Sequence, residues 1–306
     1  VAVGAQPAWP SKPLRIVVGF PGGSSPDLMA RAISDGLSQA LGQPVVIDNK
    51  PGASGNIAAD QVARATDEHT LGIVINGNLT VARLINPATP FDPARDFAPI
   101  SLLGTAPLVL TAAGTASGNT PAELLAWAKS LGDKGNYGTP GNGTVGHLGM
   151  ELLKSKTGIG AAHVPFPGNP QVVTALLSGQ VHLSLLPPGI AMPQVKAGKL
   201  KAVAVTSPAR SALVPDVPTL REAGVTGTDL EVWTALVGPA SLPRPIVARV
   251  AAAVAEVMKQ PETQARLITA GWQAVGSGPD GLAQRMKADT ALLGEIITTQ
   301  KIRVDN

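Results

Sequence analysis

Residues 14–48 read LRIVVGFPGGSSPDLMARAISDGLSQALGQPVVID, and this stretch decides the class of the fold. It begins with a continuous apolar run, residues 14–20, which is typical of a strand buried between helices on both faces of a parallel sheet. After a glycine-rich turn, apolar side chains recur at helical spacing through residues 28–41, and Gly42 stands where a helix would end. A second apolar run follows at residues 44–48. Strand, turn, helix and strand in this order predict an α/β fold.

The same alternation continues to the end of the chain. The sequence predicts further strands at residues 71–75, 107–111, 136–139, 162–166, 181–186, 201–206 and 232–237. It predicts further helices at residues 56–65, 121–130, 145–156, 171–177, 191–196, 245–259, 261–270 and 279–299. The alternation of strands and helices begins again after residue 100, and the sequence contains no internal repeat and no long linker. We therefore expect two α/β lobes between which the chain crosses more than once.

Composition excludes several classes of protein. A length of 306 residues suits two domains of ordinary size. Charged residues make up 15%, the net charge is +3 and aromatic residues are 3%, so the basic stripes and stacking rings of a nucleic-acid binder are missing. The absence of cysteine excludes disulfides, thiolate metal sites and a cysteine nucleophile. No apolar run reaches the roughly 18 residues of a membrane-spanning helix.

The first candidate site is the turn FPGGSSPD, residues 20–27, between a predicted strand and a predicted helix. Ser25 is a good N-cap residue, and Pro26 suits the first position of a helix. The free N–H groups of such a turn, together with the helix dipole, favour an anion. A tight turn that merely caps its helix remains the alternative. The turn matches neither a Walker loop nor the dinucleotide fingerprint.

The second candidate site is the turn TPGNGTVGH, residues 139–147, which also follows a strand and opens a helix. Thr144 is placed to cap that helix. Ligands of open α/β sheets bind beyond the carboxyl ends of the strands, where both turns would lie. We therefore expect the two turns to face one cleft. Residues 76–78 and 52–56 could also donate to a ligand, although such residues more often form Asx-turns and caps.

Catalytic chemistry has little support in the sequence. None of the four histidines stands in a zinc-binding spacing, and Ser24 and Ser25 do not lie in a G-x-S-x-G motif. His147 is open to two interpretations, ligand contact and structural hydrogen bonding. We predict no catalytic residue, no metal and no cofactor. A hydrolase or transferase on a similar two-lobed scaffold remains the alternative, and it would need a general base beside a nucleophile.

The sequence resembles the extracytoplasmic solute receptors of tripartite tricarboxylate transporters, known as the Bug family. The resemblance spans nearly the whole chain in order, and its motifs are strong as a series. The stretches that carry it are WPSKPLRIVVGF (9–20), PGGSSPDLMAR (21–31), LGQPVVIDNKPGASGNIAAD (41–60), DFAPISLL (96–103), YGTPGNGTVGHLGMELL (137–153), residues 163–181, KAGKLKAVAVTS (196–207), PDVPTLREAG (215–224) and the C-terminal helices.

The resemblance implies a type II periplasmic binding protein fold, with two α/β lobes joined by two crossing segments and a ligand cleft between them. We expect lobe 1 to contain residues 1–104 and 232–306 and lobe 2 to contain residues 105–231, with crossings near 103–107 and 229–234. The resemblance also implies a small carboxylate ligand, delivery to a membrane permease and no catalysis. The residues expected to bind the ligand are Phe20, Gly23, Ser24, Ser25, Asp27, Asn76, Thr139, Asn142, Gly143, Thr144, His147 and Pro187.

The resemblance further implies a periplasmic, monomeric protein. The small residues at positions 1–8 are typical of the end of an export-signal cleavage region, although this likeness could be accidental. We expect that a signal peptide has been removed.

The chain departs from the family pattern at both turns and at one wall. In the first turn Ser24 replaces a glycine and Pro26 a threonine, which adds a hydroxyl and removes one N–H. Ser54 also replaces a usual glycine. Where many relatives carry an Asp-Asn pair, this chain has Leu186-Pro187. If these two residues line the cleft, an apolar wall would favour an aromatic or simple aliphatic mono- or dicarboxylate over citrate. The alternative is that they lie behind the cleft.

Overall fold

The computed structural model describes residues 8–303 and contains two β-sheets covered by helices. The strands are β1 (Leu14–Val18), β2 (Val45–Asn49), β3 (Thr70–Ile75), β4 (Phe97–Pro107), β5 (Val109–Ala113), β6 (Asn136–Thr139), β7 (Ala162–Pro165), β8 (Leu183–Leu186), β9 (Leu200–Val205), β10 (Glu231–Pro239) and β11 (Gln273–Ala274). The helices are α1 (Ser25–Leu41), α2 (Asn56–Ala63), α3 (Asn76–Leu79), α4 (Ala82–Ile85), α5 (Pro121–Ser130), α6 (Val145–Thr157), α7 (Asn169–Ser178), α8 (Pro188–Lys196), α9 (Arg244–Lys259), α10 (Pro261–Thr269) and α11 (Gly278–Thr299). The expected α/β architecture with two lobes is confirmed.

The larger sheet has the strand order β11-β4-β10-β3-β1-β2, and the smaller sheet has the order β7-β6-β8-β5-β9. In the larger sheet β1 runs parallel to β2 and β3, whereas β10 runs antiparallel to β3 and β4. In the smaller sheet β6 runs parallel to β7 and β8, whereas β5 runs antiparallel to β8 and β9. The carboxyl ends of β1, β3, β6 and β8 all lead into the space between the two sheets, where helices begin.

The chain passes between the sheets twice. Only Leu108 separates β4 of the larger sheet from β5 of the smaller sheet, and the return runs from the end of β9 into β10. The two passages lie side by side, because Glu231 pairs with Pro107 and Val232 with Ala106 in an antiparallel ladder. Both passages fall close to the crossings expected from sequence, and the exact lobe limits stay a prediction.

Helix α11 packs against both lobes. Leu282, near its start, belongs to an apolar cluster with Val17 and Trp233 of the larger sheet. Leu293, Ile296 and Ile297, near its end, belong instead to a cluster with Leu148 and Leu153 of α6. The C-terminal helix therefore crosses the boundary between the lobes.

Most element bounds agree with the sequence analysis to within one to three residues, and the differences concern the neighbourhood of the cleft. Helix α1 begins at Ser25 and its N-cap is Ser24, so the assignment of Ser25 as the cap was wrong by one residue. The reason is that Ser24 keeps an extended conformation, with φ of −68° and ψ of 162°, and Ser25 already has helical geometry. The sequence analysis also missed α3, α4 and most of β4.

Candidate ligand-binding site

A cavity that is partly open to solvent lies between the two sheets. Within the described chain its lining contains no Asp, Glu, Lys, Arg or His side chain. Apolar walls with a few polar groups are typical of small-molecule sites. The lining residues are Phe20, Ser24, Ser25, Pro26, Ile75, Asn76, Leu108, Pro140, Thr144, Val145, Gly146, Asn169, Leu185, Pro187, Val232, Trp233, Thr234 and Trp272.

The first turn brings the N-terminus of α1 to this cavity. Ser24 is the N-cap residue, but its side chain makes no capping hydrogen bond. The Ser24 Oγ is buried and has no hydrogen-bond partner among residues 8–303. Since a buried hydroxyl without a partner is costly, a group in the cavity is the natural partner for this oxygen.

Asp27 holds the first turn in place through hydrogen bonds, on the side away from the cavity. Its carboxylate accepts hydrogen bonds from the Gly23 N–H at 2.9 Å, from Arg31 Nε at 3.0 Å and from Asn49 Nδ2 at 3.0 Å. Burial by itself would raise the pKa of Asp27, but the hydrogen bonds from Arg31, Gly23 and Asn49 outweigh it and hold that pKa below its ordinary value. Neither Asp27 nor Gly23 lines the cavity, so both support the turn that presents Ser24.

The second turn brings the N-terminus of α6 to the opposite side of the same cavity. Thr144 caps this helix, because its Oγ1 accepts the N–H of His147 at 3.4 Å and donates to the Gly141 carbonyl at 2.8 Å. Thr144, Val145 and Gly146 line the cavity. The dipoles of α1 and α6 are therefore directed toward one space, which favours a negative charge there.

His147 takes part in the hydrogen bonding and ring stacking of the second turn. Its Nδ1 accepts the N–H of Gly143 at 3.0 Å, and its ring stacks on His163 with centroids 4.0 Å apart. Burial, reinforced by the charge of Lys154, lowers the pKa of His147 to about 4. Burial and the neighbouring His147 lower the pKa of His163 to about 3. Both rings are neutral at pH 7, and neither lines the cavity.

The side chain of Thr139 is also engaged within the second turn. Its Oγ1 accepts the N–H of Gly141 at 3.2 Å and lies 2.5 Å from Nε2 of His163. Thr139 does not line the main cavity. Asn142 and Gly143 line a smaller adjoining cavity together with Ser54 and Thr144.

Asn76 lines the main cavity, but its side chain is occupied by the crossing strand. Its Oδ1 accepts the main-chain N–H of Trp233 at 2.9 Å, and its Nδ2 donates to the Glu231 carbonyl at 3.1 Å. The indole of Trp233 is fully buried and forms part of the same wall. The amide of Asn76 thus holds the passage between the lobes in place.

Two polar groups of the cavity were not anticipated from the sequence. Asn169, at the start of α7, and Thr234, on β10, are both buried. Asn169 Oδ1 and Thr234 Oγ1 have no hydrogen-bond partner within residues 8–303. Both reach the site through the tertiary fold, and the only local signal was the GNP turn at residues 168–170.

The rest of the wall is apolar. Phe20, Pro187, Trp233 and Trp272 line the cavity, and contact of Phe20 and Pro187 with a ligand stays a prediction. Leu186 does not line the cavity, because its side chain is fully buried in the core beneath the smaller sheet. The expected apolar wall at this point therefore consists of Pro187 without Leu186.

The lobes touch each other on several sides of the cavity through glycines. A Cβ on Gly77 would lie 2.8 Å from the Gly143 carbonyl oxygen, and one on Gly168 would lie 2.7 Å from Pro21. Gly189 of α8 faces the Ala270 carbonyl so closely that a Cβ would overlap it. This is a closed arrangement, in which the main chains of opposite lobes are in contact.

The described residues contain no cluster of three or more His, Asp or Glu side chains that could hold a metal ion. None of the described helices is long and apolar enough to cross a membrane.

Comparison with known proteins gives a consistent result. The model of the family described as tripartite tricarboxylate transporter family receptor matches residues 29–302. The UPF0065 protein of the tcbD-tcbE intergenic region of Pseudomonas sp. (strain P51) is 32% identical over 300 residues, covering 97% of this chain and 89% of that protein. BugT of Bordetella pertussis is 32% identical over 233 residues, covering 76% of this chain and 72% of BugT.

Solved structures are similar to this chain in both fold and sequence. The R. palustris protein Rpa4515, solved with adipate, has a TM-score of 0.93 and 31% identity, with 97% of this chain and 100% of that chain covered. MatC from Rhodopseudomonas palustris, solved with bound malate, has a TM-score of 0.89 and 32% identity, with 94% of this chain and 100% of that chain covered.

Proposed function

The chain belongs to the family of tripartite tricarboxylate transporter receptors, and we propose that it captures a small carboxylate in the cavity between its lobes. The family and its neighbours in structure are solute-binding receptors rather than enzymes. These similarities do not support the alternative of a hydrolase or transferase.

One observation carries the proposal for the ligand. Ser24 Oγ, Asn169 Oδ1 and Thr234 Oγ1 line one cavity and have no partner among the described residues. The two hydroxyls can donate to a carboxylate, whereas Asn169 Oδ1 only accepts and would take an N–H or O–H of the ligand. Ser24 belongs to the first turn, Asn169 to the smaller lobe and Thr234 to the crossing strand β10. Helices α1 and α6 begin beside these three residues. Helix N-termini and a hydroxyl donor suit a carboxylate, which needs no cationic side chain in this setting.

The ligand would act by holding the lobes together. Its carboxylate would accept from Ser24 of lobe 1 and from the start of α6 in lobe 2, so both lobes would gain contacts only when the cleft is closed. A ligand that binds the closed state better shifts the population toward it. We place the hinge at the two adjacent passages, Leu108 and Glu231–Val232. The lobe limits proposed from the sequence, 1–104 with 232–306 and 105–231, lie within four residues of it.

The body of the ligand should be apolar. Eleven side chains of the lining are apolar, among them Pro187 and the rings of Phe20, Trp233 and Trp272. A tricarboxylate or polyhydroxylated ligand would bury polar groups against this wall at about 1–3 kcal/mol for each group left without a partner. An aromatic or simple aliphatic mono- or dicarboxylate would instead bury carbon favourably. Adipate in Rpa4515 is such an aliphatic dicarboxylate, whereas malate in MatC is smaller and hydroxylated.

The family membership supports two further parts of the proposal. We expect the protein to work as a periplasmic monomer after removal of a signal peptide, and to deliver its ligand to the membrane permease of a tripartite transporter. Both parts rest on the family to which the chain belongs.

A ligand panel tests the proposal. Benzoate, terephthalate, nicotinate, adipate, malate, glutamate and citrate would be compared by thermal shift and titration calorimetry. A true ligand at 100 times its Kd should stabilise the fold by about 2.7 kcal/mol. A largest shift with citrate, malate or glutamate would contradict the apolar ligand, and no shift with any carboxylate would contradict the ligand class. Native mass spectrometry of protein purified without refolding would identify a retained ligand independently.

A further inference from the structure

The buried carboxylate of Asp289 lies directly behind the ligand cavity, although it does not line it. Asp289 is on α11, 56 residues from Trp233 and 213 residues from Asn76 in sequence, and its side chain is 8% exposed. Its Oδ2 accepts the indole Nε1–H of Trp233 at 2.6 Å and lies 3.4 Å from Nδ2 of Asn76. Both partners line the cavity, so one carboxylate contacts two pieces of its wall.

Asp289 is itself held in place. Its other oxygen, Oδ1, accepts from Arg285 Nε at 3.0 Å, one turn earlier on α11. Arg285 in turn donates from Nη2 to Glu231 Oε2 at 3.0 Å, at the start of β10. The charge of Asp289 is therefore paired, and Arg285 ties α11 to the strand that carries Trp233.

The geometry explains why an acidic residue is useful here. A buried indole N–H needs an acceptor, and a carboxylate gives a shorter and stronger hydrogen bond than a neutral group. An indole ring with its N–H fixed cannot turn about its side-chain bonds without breaking that bond. The Trp233 side chain is fully buried, and Trp233 is among the residues that line the cavity, so this part of the wall is kept in one arrangement before any ligand arrives, which lowers the entropy lost on binding.

We propose that Asp289 is a positioning residue that fixes the Trp233 ring as a preformed part of the ligand-cavity wall, and so controls affinity for ligands with an apolar body. The part of this proposal that concerns ligand affinity rests on the proposed function. Asp289 acts through Trp233 and does not touch the ligand. The same carboxylate also steadies Asn76, whose Oδ1 holds the main chain of Trp233.

The test uses three single variants, the double variant that combines Asp289→Ala with Trp233→Phe, and a matched control. Asp289→Ala removes the acceptor, Asp289→Asn keeps an oxygen that can accept from the indole, and Trp233→Phe removes the N–H donor. Asp60→Ala is the control, because Asp60 Oδ1 accepts from Arg64 Nε at 2.9 Å in a similar pair spaced by four residues on the chain, away from the cavity. Affinity is measured by titration calorimetry with adipate and with benzoate, at a temperature where every variant is folded.

The expected result is a Kd raised tenfold or more by Asp289→Ala for the probe that the wild type binds best, with Asp289→Asn within about threefold of wild type and Asp60→Ala unchanged. In the Trp233→Phe background Asp289→Ala should change the Kd by less than threefold, because the partner through which it acts is gone. An equal effect of Asp289→Ala in both backgrounds would overturn the proposal. So would a Kd unchanged by Asp289→Ala.

A spectroscopic measurement separates this proposal from the ligand class. The indole Nε1–H signal of Trp233 in a 1H–15N spectrum of the ligand-free protein, assigned with Trp233→Phe, should move clearly in Asp289→Ala and little in Asp289→Asn. If the wild type binds neither probe, this signal still decides whether Asp289 holds the ring, and the ligand class is tested separately by the full panel of carboxylates. A signal that does not move in Asp289→Ala would contradict the positioning role directly.

Discussion

At the scale of the residue, the two turns use their hydroxyl groups in opposite ways. Thr144 Oγ1 is committed within the protein, since it accepts from His147 N and donates to the Gly141 carbonyl. Ser24 Oγ occupies the corresponding cap position of α1 and has no partner among the described residues. The cap position in the first turn is therefore free for a ligand, because Asp27 has taken over the task of fixing that turn.

Replacing these two residues should separate binding from stability. Ser24→Ala should weaken carboxylate binding by about 1.5–3 kcal/mol, the value of a hydrogen bond to a charged group, and should not lower the free energy of unfolding of the ligand-free protein. Thr144→Ala should lower that free energy by about 1 kcal/mol through loss of the cap. Titration calorimetry and urea unfolding of both variants give the two quantities. Unchanged affinity in Ser24→Ala would remove Ser24 from the site.

At the scale of the element, the second turn depends on a stack of rings. Tyr137 of β6 stacks on His163 of β7 with centroids 5.1 Å apart, and His163 stacks on His147 of α6. His147 then accepts from Gly143 and so fixes the loop that precedes α6. Only a neutral imidazole can accept at Nδ1, so the turn requires His147 to remain unprotonated.

The stability of this turn should depend on pH in a defined direction. The pKa of His147 is lowered from 6.5 to about 4 in the folded protein, chiefly by burial. Between these pH values the unfolded chain binds a proton at His147 that the folded protein does not bind. The free energy of unfolding therefore falls as the pH falls from about 6.5 toward 4, and the contribution of His147 to stability is complete above that window. Urea unfolding at pH 7.5 and pH 4.5 should show this loss. In His147→Asn, which keeps an acceptor for Gly143, the loss should be smaller by on the order of 2 kcal/mol. An identical pH dependence in the variant would contradict the assignment.

Elements also differ in how well the sequence could predict them. The strand, turn and helix at residues 14–41 were predictable, because a dense apolar run and helical spacing act locally. Strand β4 was not, since Pro99 and Gly104 interrupt residues 97–107, and its structure depends on pairing with β10 more than a hundred residues away. The residues of the candidate site also divide into those set by local sequence and those set by distant contacts. Ser24 and Thr144 lie at local helix starts, whereas Asn169 and Thr234 reach the cavity only through the tertiary fold, as Asp289 reaches Trp233 behind it.

At the scale of the whole molecule, closure depends on main chains that meet without side chains between them. The tightest of these contacts joins Gly189 of α8, in the smaller lobe, to Ala270 and Gly271 at the end of α10, in the larger lobe. Gly271 has a φ of +83°, a conformation that other residues rarely adopt. Gly189 is instead a helical residue with no such constraint, so glycine is needed there only for the contact across the cleft.

Gly189→Ala should therefore hinder closure and leave each lobe intact. Alanine is favoured over glycine in a helix by about 1 kcal/mol, so the ligand-free protein should be no less stable than wild type. In the closed state, however, the new Cβ would overlap the Ala270 carbonyl. Because the apparent Kd rises as the competent fraction falls, carboxylate affinity should drop at least tenfold. The matched control is Gly294→Ala on α11, where a Cβ would meet only Leu84 Cδ1 at 3.5 Å, an ordinary contact. Small-angle X-ray scattering should show contraction on ligand addition for wild type and for Gly294→Ala, and none for Gly189→Ala. If Gly189→Ala binds and contracts like wild type, the lobes do not close through this contact, and the hinge motion must bring together a different pair of surfaces.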